Sequence, residues 1–164
     1  MFERKIIYPA VSPNLDGFKA HMRLTSADFD ETLSLNLGAA ISSAEHFIGR
    51  MISLSDITQI SHFAKEVELE AGDCIELTSV QVDGVEATSD QYTLTGTAVT
   101  FADGVTGDVV QIKYRAGMLN PAPDIIAAVY LHAGYMFNNP VDTVETLPKA
   151  STNLLRPYRR WGLK

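Results

Sequence analysis

Between positions 25 and 51 the chain reads TSADFDETLSLNLGAAISSAEHFIGRM, and Phe29, Leu33, Leu37, Ala40, Ile41, Ala44, Ile48 and Met51 recur there at steps of three or four. That spacing predicts one buried stripe along a long helix. Thr25 or Ser26 is placed to cap the free amides, and Asp28, Asp30 and Glu31 suit the positive end of the helix dipole. A shorter helix is expected over 15–23, with Leu15, Phe18 and Met22 on one face, while Pro9 and Pro13 hold 1–13 extended. Helical periodicity returns in NPAPDIIAAVYLHAGYMFNNP, where Pro123 suits a first turn and Ile126, Val129, Tyr130, Ala133 and Phe137 form the apolar face. A last short helix over 148–155 uses Ala150, Leu154 and Leu155.

The period changes after about residue 65. Val67/Leu69, Ile75/Leu77, Val80/Val82, Tyr92/Leu94, Val99/Phe101 and Val110/Ile112/Tyr114 alternate with polar residues, as half-buried strands do. Asp83-Gly84, Thr95-Gly96 and Asp103-Gly104 read as turns. The phase slips between Leu77 and Val80, which predicts a bulge. Together these give four to six short antiparallel strands.

The order helix, strand, helix predicts an α+β protein: a mainly helical bundle from 14–53 and 121–156, with a small antiparallel β unit inserted over 66–116. All of 1–164 is read as one domain. Pro157 disfavours helical geometry at Arg156, so the tail, 157–164, is expected to leave extended. There is no internal repeat and no low-complexity segment.

Charge divides this chain. Overall it is −7, but from Lys149 onward it has five basic and no acidic residues, which leaves −12 on residues 1–148. An acidic body argues against broad nucleic-acid binding, which depends on cations displacing counterions from phosphate. No stretch approaches the roughly 20 apolar residues of a membrane span. The start is too polar for a secretory signal, and the single cysteine, Cys74, cannot form an internal disulfide, so synthesis in cytoplasm is expected.

Catalytic chemistry is hard to assemble. His21, His46, His62 and His132 lack metal-ligand spacing, and Cys74 stands among acids, which raise a thiol pKa rather than activate it. DGVTGD, 103–108, lacks the full pattern of a calcium loop and reads as a hairpin turn. Glu66, Glu68 and Glu70 are two apart, on one solvated strand face. With no phosphate loop and no nucleophile elbow, neither an enzyme nor a cofactor nor a metal is expected.

The tail is different. Arg156, Tyr158, Arg159, Arg160 and Trp161 are of the residue types enriched at protein–protein hot spots. Three readings are open at this point: docking on a partner, folding back on the chain's own bundle, and contact with nucleic acid.

Three stretches, GFKAHMRLTSADFDETLSLNLGAAISSAEHFIGR, VVQIKYRAGM…APDIIAAVYLHAGYMFNNP and LPKASTNLLRPYRRWG, carry a resemblance. In order and spacing the chain resembles the head–tail connector (head-completion or adaptor) proteins of tailed bacteriophages, in the branch with a β insertion between helices. It departs at Asn138–Pro140, where relatives often have an arginine and an acid. The resemblance implies a structural protein of the virion neck, made in the host bacterial cytoplasm, whose copies form a ring beneath the portal, commonly a dodecamer. Its implied partners are the portal, neighbouring copies and a tail or stopper protein, with DNA passing through the channel without specific binding. It further implies that the five tail residues grip the portal or a neighbour, and that a chain cut after Asn153 folds but fails to join portals. Two alternatives remain: a tail-completion protein on the tail tube, and a packaging component like a small terminase subunit.

Overall fold

Strand Val109–Ala116 alternates strictly: Val110, Ile112, Tyr114 and Ala116 are buried while the residues between them face outward. A strand with one dry face needs neighbours on both edges to satisfy its amides, and this one has them. In a computed structural model, which describes residues 1–6, 13–72, 74–140 and 148–160, this strand is β8 and lies at the centre of a five-stranded antiparallel sheet. The sheet order is β1 (Phe2–Ile6), β2 (Ser55–His62), β8, β4 (Cys74–Val82), β5 (Val85–Glu86). A second sheet has the order β3 (Glu66–Glu68), β7 (Ala98–Phe101), β6 (Tyr92–Thr95).

The expected fold class, a mainly helical bundle with a small β insertion, is overturned. Among the described residues the β part has eight strands in two sheets, and about 29% of residues are strand against about 36% helix. It also recruits two segments left out of the expected 66–116 unit. Strand β2 escaped notice because its inward positions are Ser55, Ile57, Gln59 and Ser61, so polar side chains interrupt the apolar alternation. Strand β1 is an edge whose residues are almost all exposed, so burial imposes no pattern on it.

The polar side chains are the joinery of this unit. Gln59, 2% exposed, donates through Nε2 to the Glu68 carbonyl (2.8 Å) and accepts at Oε1 from the Glu70 amide (3.0 Å) and the Tyr114 hydroxyl (3.0 Å). The Tyr114 oxygen in turn accepts from the Ala71 amide at 3.1 Å. Three of these bonds clip the 68–71 segment, at the end of β3, onto the larger sheet, and the fourth, between Tyr114 and Gln59, braces β8 against β2 beneath it. The expected slip in β4 is present, as a register shift between Leu77 and Ser79. Asp83, at φ +49°, and Gly84, at φ +80°, make the tight β4–β5 turn. The Asp83 carboxylate fixes the start of β8 by accepting from the Asp108 and Val109 amides.

The described residues fall into two compact units. The β unit draws on Met1–Tyr8 and Leu54–Gly117, and a helical unit on Pro9–Ser53 and Met118–Lys164. The latter holds α1 (Leu15–Met22), α2 (Asp30–Ile48), α3 (Pro123–Asn138) and α4 (Lys149–Leu155). Its core joins Phe18 of α1 with Leu33, Leu37, Ala40, Ala44 and Ile48 of α2, and Ile125, Ala128, Val129 and Ala133 of α3. Phe29 beside the start of α2 meets Phe137 near the end of α3 edge to face, centroids 5.6 Å apart, so these two helices run antiparallel. Neither Thr25 nor Ser26 caps α2. Phe29 holds that position without a side-chain bond, and Ser26 instead receives the Asp28 amide. At the other end Glu45, buried on α2, accepts the Ile52 and Ser53 amides at 2.8 and 3.0 Å and so fixes the chain where the helix stops.

Candidate functional site: the C-terminal arm on the helical unit

Helix α4 places the arm. It opens at Pro148, whose carbonyl accepts from the Thr152 hydroxyl and amide, and it closes on Leu155, a fully buried member of the helical core. The expected extended exit at Arg156 does not occur. Arg156 is helical, with φ −52° and ψ −42°, and Arg156–Tyr158 forms a single 3₁₀ turn. Pro157 sits early in that turn, where its missing amide is no loss. The steric preference against a helical residue before proline is soft. Burial of Leu155 on one side and packing of Tyr158 on the other override it. The chain becomes extended only at Arg159, with φ −66° and ψ 128°.

From there the arm lies along its own unit. Tyr158 packs against the helical core and its hydroxyl faces Asp124 Oδ2 at 3.4 Å, a long contact at the start of α3. Partial burial pushes the Tyr158 phenol above its ordinary pKa, and the charge and hydrogen bond of Asp124 add to this. The Arg159 guanidinium stands over the Phe47 ring, 5.4 Å from its centroid. The Arg160 amide donates to the Ile48 carbonyl at 2.8 Å, capping one of the carbonyls that α2 leaves open at its end. Four of the five residues singled out in the sequence are therefore described. Tyr158, Arg159 and Arg160 come together across the end of α2 and the start of α3, while Arg156 points to solvent. The fifth, Trp161, lies outside the described residues.

Sequence reasoning did not find the seats of the arm, Asp124, Phe47 and the Ile48 carbonyl. The buried Leu155 also changes how the arm can be removed. A chain cut after Asn153 loses a core residue, Leu155, as well as the arginines, so substitution of the exposed arginines probes the arm without opening the core.

Elsewhere the candidate chemistry stays dispersed. Among the described residues no group of three or more His, Cys, Asp or Glu side chains is placed to hold a metal ion, and no helix is long and apolar enough to cross a membrane. Burial, with Glu76 nearby, pushes the Cys74 thiol up, although the amide of Glu76 opposes this. Within the 103–108 turn, Asp103 pairs with Lys65 and the Asp108 amide is held by Asp83. His132 is buried in α3.

No protein-family model matches the chain, and no curated protein does. Solved structures match along its whole length. A chain in the neck of the empty gene transfer agent particle, computed with C6 symmetry, aligns at a TM-score of 0.78 and 20% identity, covering 100% of this chain and 97% of that one. A chain in the neck of the native particle, computed with C12 symmetry, gives the same TM-score and coverage at 16% identity. A third, in the virion of the native gene transfer agent particle, again gives 0.78 with 20% identity over 100% and 97%. At these identities the likeness is one of fold.

Proposed function

We propose that this chain is a structural, non-enzymatic protein of the neck of a tailed-phage-like particle. In this reading it is a head–tail connector whose copies form a ring beneath the portal and extend the DNA channel. The observation that carries the proposal is the full-length likeness, at TM-score 0.78, to chains standing in the necks of such particles. The charge distribution supports it. A body at −12 suits a channel wall, because it repels phosphate and lets DNA slide.

In this proposal Arg156, Tyr158, Arg159, Arg160 and Trp161 form the contact arm to the portal or to the next copy. Arg156 and Arg159 are exposed and Tyr158 is only partly buried, so these side chains can reach an outside partner without the arm leaving its own unit. A ring makes weak grips effective, because one docked arm raises the local concentration of the others.

The test is to mix the purified chain with purified portal rings of the same particle and to image the product. Expected are portal rings carrying a second ring of this chain, with at least tenfold weaker association when Arg156 and Arg159 are both changed to Glu. Capture by tail tubes and not by portals would move the protein to tail completion. Tight, salt-sensitive binding of DNA to the assembled ring would refute the channel-wall assignment.

A further inference from the structure

Two helix faces in the helical unit are exposed yet carry no charge. Positions 32–44 on α2 and 125–138 on α3 contain no Asp, Glu, Lys or Arg. A surface helix ordinarily puts charged residues opposite its apolar stripe. Here the outward positions of α2 are Leu35, Gly38, Ala39 and Ser42, with Leu35 74% exposed. Those of α3 are Ala127, Leu131 and Tyr135, the last two each 38% exposed. Depletion of charge around exposed large apolar side chains is the composition of an interface centre.

Gly38 sharpens the point. Glycine is among the worst residues for the middle of a helix, and it is kept where a side chain cannot fit. Gly17 has such a reason, since a Cβ there would collide with the Tyr130 hydroxyl; so has Gly134, which is closed off by the Met22 sulfur. At Gly38 an added Cβ meets nothing within 4 Å. Its reason therefore lies outside the subunit. With Ala39 and Ser42 it makes a shallow strip on which another helix can lie close.

Helices α2 and α3 already pack antiparallel through their buried stripes. Their charge-free faces are therefore on opposite sides of the pair. A closed ring requires two different faces of that kind, because each copy must meet one neighbour with one surface and the other neighbour with another. We propose that the outward face of α3 in one copy packs on the outward face of α2 in the next, antiparallel, so that α2 and α3 alternate around the ring. The occupant of each face is thus a second copy of this chain. A charge-free strip offers nothing to phosphate or to an acidic or basic partner, and the antiparallel order repeats the packing present inside each copy. Continuing the register set by Phe29 and Phe137 brings Leu35 opposite Leu131. This inference rests on the ring reading proposed above.

The test uses the full chain assembled on portal rings, with Cys74→Ser as background. Leu35→Cys combined with Leu131→Cys, under oxidation, is expected to give a ladder of covalent multimers beyond the dimer, and each single cysteine variant is expected to give none. Gly38→Gln is expected to raise the melting temperature of the free subunit by a few degrees while lowering ring occupancy at least tenfold. A merely structural glycine would not separate these two readouts. The face assignment is overturned if imaging shows intact rings for Gly38→Gln and the cysteine pair yields no ladder, in which case the neck function stands. It is also overturned if Leu35→Cys alone gives dimers, because α2 would then face itself. If the wild-type chain forms no ring on portals, the functional reading falls and this inference falls with it.

Discussion

Tyr114→Phe removes one oxygen from the buried joint of the β unit, and the consequences can be counted. The hydroxyl donates to Gln59 Oε1 at 3.0 Å and accepts from the Ala71 amide at 3.1 Å, and Tyr114 is only 1% exposed. Without it Gln59 Oε1 keeps the Glu70 amide, but the Ala71 amide is left buried without its acceptor. An unsatisfied buried donor costs about 1–3 kcal/mol, so a loss of about 2 kcal/mol is expected near pH 8. For a chain of this size that is roughly 4–8 °C in melting temperature. The same hydroxyl sets a pH signature. Burial, which outweighs the stabilising Ala71 amide, raises its pKa from 10.0 to about 12, with smaller upward contributions from Glu70 and Cys74. Between those values the unfolded chain has lost the proton and the folded one has kept it, so stability falls as pH rises from 10 to 12, by about 3 kcal/mol. The variant lacks this loss. Urea unfolding of both proteins from pH 8 to 12 should therefore show a deficit of about 2 kcal/mol that closes as pH rises. A deficit below about 0.5 kcal/mol at pH 8, or one that stays constant to pH 12, would refute the account of this joint.

Three further outcomes are expected. Glu45→Ala strands the Ile52 and Ser53 amides and should cost about 1–3 kcal/mol, more than Glu45→Gln, which keeps an acceptor; denaturant unfolding of the two variants checks this. Leu155→Ala should cost about 2–5 kcal/mol by opening a cavity in the helical core, and a chain cut after Asn153, which loses Leu155 altogether, should melt early in calorimetry. His132 has its pKa lowered by burial, and its Nδ1 has no hydrogen-bond partner among the described residues. The unfolded chain takes up that proton first as pH drops below about 6.5, so His132 contributes stability that is lost on acidification. His132→Leu should flatten the fall in melting temperature between pH 7 and 5.

Some of this architecture is written plainly in the chain. The stripe of α2 from Leu33 to Ile48 and the alternation of Val110, Ile112 and Tyr114 each follow from one buried face meeting one repeat length. The register slip in β4 was readable for the same reason. What escaped was burial of polar or small groups. Gln59 and Ser55 fill the dry face of β2, and their bonding partners are far away in sequence, so no local pattern announces them. The dry face of α3 is wider than the one expected. Val129, Tyr130 and Ala133 are buried and Ile126 and Phe137 pack at its margin, but Ile125, Ala128 and His132 are buried as well, on a helix apolar nearly all round. In the arm, composition singled out the arginines and rings. It could not reveal that Leu155 anchors them or that Phe47 and Asp124 receive them.

The two units interleave along the chain, and this has a consequence for synthesis. Strand β1 pairs with β2, some fifty residues later, and α2 cannot cover its apolar stripe until α3 emerges, beginning at Pro123. At roughly 5–20 residues per second the ribosome leaves α2 waiting on the order of ten seconds, while the complete β unit is delivered and can close. The helical half is thus the last to solidify, and with it the faces by which copies would recognise one another. A nascent chain has little opportunity to polymerise before it is whole.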